Sequence, residues 1–131
     1  MELPESITAY VRNRLTFKQG QTVFEEGSQA RHVFLIMQGR VRIRKQTSKG
    51  MVTLSVLEQG HVLGETSFFD KAAGLHAAAA VAETDVVLGV LDREKLEQEL
   101  SFIAPIQQEL LAGLARRLRL TTAAAALLAG S

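Results

Sequence analysis

Between positions 60 and 69 the chain reads Gly60-His61-Val62-Leu63-Gly64-Glu65-Thr66-Ser67-Phe68-Phe69. An apolar strand end runs through a glycine into a lone carboxylate, two hydroxyl residues and a short helix start. Free backbone N–H groups at such a start attract an anion, and a glycine lets a ligand approach the backbone closely. A carboxylate set among those donors cannot itself bind phosphate, but it can accept hydrogen bonds from hydroxyls. Phosphate on the amides of Gly64 to Ser67 and sugar hydroxyls on Glu65 together describe a nucleotide. The plain alternative is a tight turn whose acid caps the next helix, and the surrounding sequence has to decide between them.

The elements that must position this segment are short and mostly extended. Ser6 to Arg14 reads as a short amphipathic helix with Ile7, Tyr10 and Val11 on one side. From Leu15 to Leu91, runs of Val, Ile, Leu and Phe are punctuated by glycines about every ten residues, which suggests a β-sandwich or barrel. Val33-Phe34-Leu35-Ile36-Met37 is a continuous apolar run expected to be buried on both faces. Val41 and Ile43 alternate with Arg40, Arg42 and Arg44, as in a strand with one solvated face. Met51 to Leu57 is its expected partner across Thr47-Ser48-Lys49-Gly50, and Ala77 to Ala82 and Val86 to Leu91 are later strands.

Asp92 is a natural N-cap for a helix through Leu100, and Pro105 suits the first turn of a long terminal helix. Along that helix Ile103, Ile106, Leu110, Leu114, Leu118 and Thr121 recur on one stripe. This stripe is longer than a small barrel can cover, so pairing with a second copy is expected. Docking along its own sheet is the alternative. The organisation expected is one domain over residues 1–131, with a barrel over 15–91 and C-terminal helices over 92–129.

Composition narrows the classes of function. The chain has 131 residues, 47% hydrophobic and 22% charged, with a net charge of +1, so nothing in its balance favours a polyanion. The absence of Cys excludes thiol catalysis, thiolate metal sites and disulfides. The acidic N-terminus is not a signal peptide, and no apolar run reaches the roughly 18–20 residues that span a bilayer. A cytoplasmic location without membrane contact is the expectation. His32, His61 and His76 are scattered with no His-x-His pair, which argues against the metal site of a cupin-type enzyme. No Ser/His/Asp order or carboxylate pair suggests hydrolysis. No catalytic residue, metal or required cofactor is expected, and the Arg rows at 40–44 and 116–119 read as solvated faces.

Taken together, these motifs resemble the cyclic nucleotide-binding domain family. Phe17-Lys18-Gln19-Gly20-Gln21-Thr22-Val23-Phe24-Glu25-Glu26-Gly27 is similar to its opening turn and strand. Phe34-Leu35-Ile36-Met37-Gln38-Gly39-Arg40-Val41-Arg42-Ile43 is similar to its second signature. Gly60 to Phe69 resembles its phosphate-binding cassette, and Leu114-Ala115-Arg116-Arg117-Leu118 its long terminal helix. The resemblance runs from about Leu15 to Thr122. It implies a mainly β fold, an eight-stranded jelly-roll (double-stranded β-helix) barrel with a short N-terminal helix and two C-terminal helices. Gly64 and Glu65 match the residues that meet the phosphate and the ribose 2′-hydroxyl.

The resemblance fails at one place. The family's cassette goes on to an Arg that grips the cyclic phosphate and then a small hydroxyl residue, and those positions here are His76 and Ala77. A guanidinium offers a permanent charge and a bidentate grip, whereas an imidazole near pH 7 is often neutral. Losing one charged hydrogen bond to a desolvated phosphate costs about 1.5–3 kcal/mol. Lys71, in the preceding loop, is a replacement cation of unknown position. At the far end, Thr121 and Thr122 match hydroxyl positions near the adenine, one from each subunit of a dimer. That favours cAMP over cGMP as ligand.

Two readings follow. One is a non-enzymatic sensor that binds a cyclic nucleotide weakly through Gly64, Glu65, Thr66, Ser67, His76, Ala77, Thr121 and Thr122, and signals through its C-terminal helices as a homodimer. The other is a degenerate domain that binds no nucleotide and serves as a dimerisation or interaction scaffold. Regulators that the resemblance brings to mind continue into a DNA-reading helix-turn-helix about where this sequence ends at Ser131. No direct DNA contact by this chain is therefore expected, and a free-standing sensor and a piece of a larger regulator both stay open.

Overall fold

The structure is a computed structural model and describes residue 3, residues 5–64, residue 68 and residues 74–130. Its elements are α1 (Glu5–Thr8), β1 (Val11–Phe17), β2 (Thr22–Phe24), β3 (Phe34–Gln38), β4 (Val41–Thr47), β5 (Gly50–Leu57), β6 (Val62–Leu63), β7 (Ala79–Ala82), β8 (Val86–Leu91), α2 (Arg93–Ser101) and α3 (Pro105–Gly130). The strands form two four-stranded antiparallel sheets, ordered β1-β8-β3-β6 and β2-β7-β4-β5. This is the jelly-roll arrangement expected from the sequence: mainly β, with a short helix before the barrel and longer helices after it.

Alternation within the strands explains how the sheets pack. Phe34 and Ile36 of β3 face the other sheet, where they meet Val41, Ala80 and Ala82 in a main core that Val86, Leu88 and Val90 of the neighbouring β8 complete. Val33 and Leu35 point the other way, into a second cluster with Leu91, Ile7, Tyr10, Leu96 and Leu100. β3 is apolar from Phe34 to Met37 because α1 and α2 cover the face turned away from the barrel. The Ala tract extends as β7 because a central strand pressed between β2 and β4 has room for little more than a methyl: Ala80 and Ala82 are fully buried. Neighbouring strands supply the ladder that alanine's weak β-propensity does not.

Three expectations need correction. The helix anticipated over Ser6–Arg14 stops at Thr8, and the barrel begins at Val11 rather than Leu15, because β1 pairs with β8 from Val11↔Leu91 to Phe17↔Val86. A helix there would leave the β8 edge without partners. Ile7, Tyr10 and Val11 still share one cluster, so the apolar side was right and the backbone wrong. The Arg row on β4 is only partly solvated. Arg40 is exposed, but Arg42 and Arg44 are half-buried, since β4 is central and their stems lie beside Val56, Val81, Thr53 and Ala79 on paired strands.

The terminal helices begin and end as their residues dictate. The Asp92 side chain caps α2 by accepting from the Lys95 amide at 3.1 Å, and Pro105 opens α3. α3 packs on β4 and β5, with Ala115 buried and Leu111 and Ala112 half-buried. Its expected stripe faces elsewhere. Ile106, Leu110, Leu114 and Leu118 remain 66%, 60%, 58% and 51% exposed, so the chain's own barrel does not cover them.

The β3–β4 turn shows how tightly the two sheets are joined. Gly39 has φ +91°, and a Cβ there would strike the Asp85 carbonyl and lie 2.7 Å from Val86 Cγ1 and 2.8 Å from Thr84 Oγ1. The Arg40 amide donates to Thr84 Oγ1 at 3.0 Å, which holds this turn against the β7–β8 connection. Gly39→Ala should therefore destabilise the fold by about 2–3 kcal/mol through backbone strain and collision, read as a lower denaturation midpoint. An unchanged midpoint would mean that the turn can move.

Candidate functional site

A cavity of about 260 Å³ opens between the inner face of the barrel and α3, just below the roughly 300–1,000 Å³ usual for small-molecule sites. Phe24 of β2, Ile43 of β4, Leu57 of β5, Gly64 after β6, His76 before β7 and Thr122 of α3 contribute to its wall. Residues far apart in sequence thus converge because β2, β7, β4 and β5 form one sheet, while β6 brings Gly64 in from the other.

His76 is the most constrained side chain here. It is 7% exposed and lies flat on Phe24, with ring centroids 3.6 Å apart and planes at 7°. Phe24 stacks in turn toward Phe34, centroids 6.4 Å apart. The backbone on either side is fixed: the His76 amide donates to the Ser28 carbonyl at 2.9 Å, and its carbonyl accepts from the Gly27 amide at 2.9 Å. Burial disfavours the imidazolium and pushes the His76 pKa below its ordinary value.

Gly64 adopts φ +83°, and a Cβ at this position would sit 2.6 Å from the His32 carbonyl and 3.6 Å from His76 Cε1. Only glycine lets this backbone take a positive φ and pass so close to the His32 carbonyl. Ala77 is half-buried on the wall, and its carbonyl accepts from Lys45 Nζ at 2.7 Å. The Lys45 ammonium is also paired with Glu26 at 2.9 Å, and Glu26 accepts from the Gln46 amide at 3.0 Å. Burial pushes the Glu26 carboxyl upward, but the Gln46 amide and the Lys45 charge outweigh it and hold the pKa below its usual value.

On α3 the two threonines part company. Thr122 is half-buried and lines the cavity, whereas Thr121 is exposed and turns away from the cavity of its own chain. Their hydroxyls donate to the carbonyls one turn back, Thr121 to Arg117 at 2.9 Å and Thr122 to Leu118 at 3.0 Å. Each oxygen keeps acceptor capacity. The anticipated Glu65, Thr66, Ser67 and Lys71 lie outside the described residues.

Sequence reasoning missed Ser55, whose residue lines the cavity between Ile43 and Leu57. Ser55 is exposed and pairs with Ile43 of β4 beside an irregularity in the register, where Arg44 pairs with Thr53. Counting alternate residues back from Leu57 reaches Ser55 correctly, but nothing in the pattern marks that face as a cavity. Leu118 was assigned to the exposed stripe and also reaches the cavity edge. Among the described residues, no group of three or more His, Cys, Asp or Glu could hold a metal ion. No helix of the described residues is long and apolar enough to cross a membrane.

Two antiparallel sheets rolled around a small cavity, with a long helix along its mouth, define a jelly-roll binding domain. The sequence matches the cyclic nucleotide-binding domain over residues 14–101, and the chain belongs to that family. It is 31% identical over 121 residues to a CRP-like cAMP-activated global transcriptional regulator of Mycobacterium tuberculosis, a match covering 90% of this chain and 53% of that protein. The catabolite activator protein of Thermus thermophilus superposes with a TM-score of 0.69 at 31% identity, over 96% of this chain and 60% of that one. The cAMP-bound form of the EAL enzyme Bd1971 gives a TM-score of 0.78 at 25% identity, over 87% of this chain and 30% of that one. The chain spans about half the length of the curated relatives it matches.

Because His76 is held neutral by burial, the unfolded chain takes up a proton more readily than the folded one below about pH 6.5. Its contribution to stability is complete above that pH and declines as the pH falls toward the lowered folded value. Thermal unfolding followed between pH 5 and 8 should show this decline in the wild type and a flatter profile in His76→Phe, which keeps a ring on Phe24. Equal slopes in the two proteins would place the titration elsewhere.

Proposed function

We propose that this chain is a non-enzymatic regulatory domain, one cyclic nucleotide-binding unit over residues 1–131, acting in the cytoplasm. In this reading it binds cAMP in preference to cGMP, and weakly. The observation that carries the reading is the convergence of Gly64, His76, Ala77 and Thr122 on one cavity under α3. Phosphate is assigned to the backbone amides following Gly64, with Thr66 and Ser67, and the ribose to Glu65. Thr122, and Thr121 of a second copy, are assigned to the base. No separate cofactor enters the account.

Signalling is assigned to the helices. Leu118 and Thr122 belong both to the cavity wall and to α3, so an occupant would change the position α3 prefers. That is allostery if the ligand binds the two helix positions with different affinity. The exposed Ile106, Leu110, Leu114 and Leu118 supply the face of a homodimer, since a contiguous apolar face of this kind marks an interaction surface. Relatives of this chain are named as transcriptional regulators, and we assign no DNA contact to residues 1–131. A second reading, a scaffold without ligand, is supported by the burial and lowered pKa of His76, the residue that the resemblance assigns to the family's phosphate-binding Arg.

Calorimetric titration with cAMP and with cGMP separates the two. Micromolar cAMP binding, reduced roughly 10- to 150-fold by Glu65→Ala through loss of a charged hydrogen bond, supports the sensor. No heat and no thermal shift at millimolar concentrations of either nucleotide would leave the scaffold. For the dimer face, Leu114→Glu should convert the species seen by sedimentation from dimer to monomer without unfolding the barrel. A wild-type protein that sediments as a monomer at high micromolar concentration would remove the dimer from the account.

A further inference from the structure

We propose that His76 makes ligand binding proton-coupled, so that the domain takes a phosphodiester monoanion together with one proton and binds it more tightly as the pH falls. This inference rests on the reading of the cavity as a cyclic nucleotide site.

The geometry gives His76 a charge problem with one economical solution. The imidazole is buried, lies flat on Phe24 and adjoins the backbone at Gly64. An anion brought into this wall would meet a low-dielectric surface in which an unpaired charge is costly. Among the described residues, the groups facing His76 offer little else to offset it. From β4 the Lys45 ammonium reaches the Ala77 carbonyl next to His76, but its charge is already balanced by Glu26. The Glu25 side chain, on the turn after β2, is exposed and adds no positive charge. The segment before β3 presents the carbonyl of His32 toward Gly64, with the His32 ring tilted on Phe34. From β5 come Ser55 and Leu57, and from α3 Leu118 and Thr122, all uncharged. Protonation of His76 supplies the missing positive charge where the anion needs it, and an imidazolium resting on the Phe24 face is further favoured by the ring quadrupole.

In the empty domain, desolvation keeps the imidazole neutral. A bound anion favours the imidazolium, so the His76 pKa rises on binding and linkage requires the affinity to depend on pH. Between the free and bound pKa values, Kd for the anion falls by up to about tenfold for each unit of decreasing pH. An Arg at this position would bind the same anion with no such slope, because it stays charged throughout.

The test measures Kd for cAMP, and for the neutral nucleoside adenosine, from pH 5.5 to 8.5 in the wild type, His76→Arg and His76→Phe. Expected are a rising cAMP affinity toward low pH in the wild type and a weak, flat profile in His76→Phe, which preserves the stack. His76→Arg should bind tightly with a flat profile, and adenosine should show no slope in any of them. Calorimetry in buffers of different ionisation heat should register uptake of close to one proton per cAMP in the wild type alone. A flat wild-type profile beside tight binding by His76→Arg overturns the proton coupling while the nucleotide reading stands. Failure of all three proteins to bind cAMP at any pH overturns both.

Discussion

The stack of His76 on Phe24 is the constraint on which the rest of the site depends. Phe24 belongs to the main core on one side, through Phe34, and to the cavity on the other. The stack therefore marks where close packing ends and an open pocket begins. It holds the imidazole in a buried position, where desolvation lowers its pKa, and brings Cε1 toward Gly64, where a Cβ would meet the His32 carbonyl first. Register reinforces it: β2 pairs with β7 through Thr22↔Val81 and Phe24↔Ala80, with an irregularity between the two pairs. The backbone bonds between His76 and residues 27 and 28 then fix the segment that leads into β7.

Around that point the fold separates packing from response. β8 lies between β1 and β3 and contributes Val86, Leu88 and Val90 to the main core, and none of these three lines the cavity. α3 is different, since one side of it leans on β4 and β5 while another carries large aliphatic side chains into solvent. A helix with so little buried area depends on whatever else it touches, either a ligand beneath it or a second chain beside it. That dependence is what an allosteric element requires. Arg93 ties the start of α2 to the other side of the cassette: its guanidinium lies 5.5 Å from the centroid of Phe68 and donates to the carbonyls of Ala30 and Arg31.

Most of the barrel was legible in the sequence. β8 matches its expected bounds because a strand flanked by turn residues and buried on both faces has little freedom. The Asp92 cap and Pro105 were legible because end chemistry is local. β1 was not, because Ile7, Tyr10 and Val11 satisfy a helical spacing, and only the distant edge of β8 selects the extended form from Val11 onward. At the site, Gly64 and His76 could be singled out from order and spacing, whereas the stack that His76 makes could not. It follows from Phe24, fifty-two positions earlier in the chain. Ser55 was hidden for the same reason, since a cavity is a property of several strands at once.

The central claim is that the cavity under α3 is where a cyclic nucleotide binds and that α3 responds to it. The most direct measurement is solution NMR of the isotopically labelled chain during stepwise addition of cAMP. The account predicts shifts first at the Gly64 amide, the His76 ring and the Thr122 methyl, with α3 amides from Leu111 to Thr122 following at the same ligand concentrations. Binding that shifts only residues outside this cavity, or that leaves α3 unmoved when the cavity is full, would contradict it.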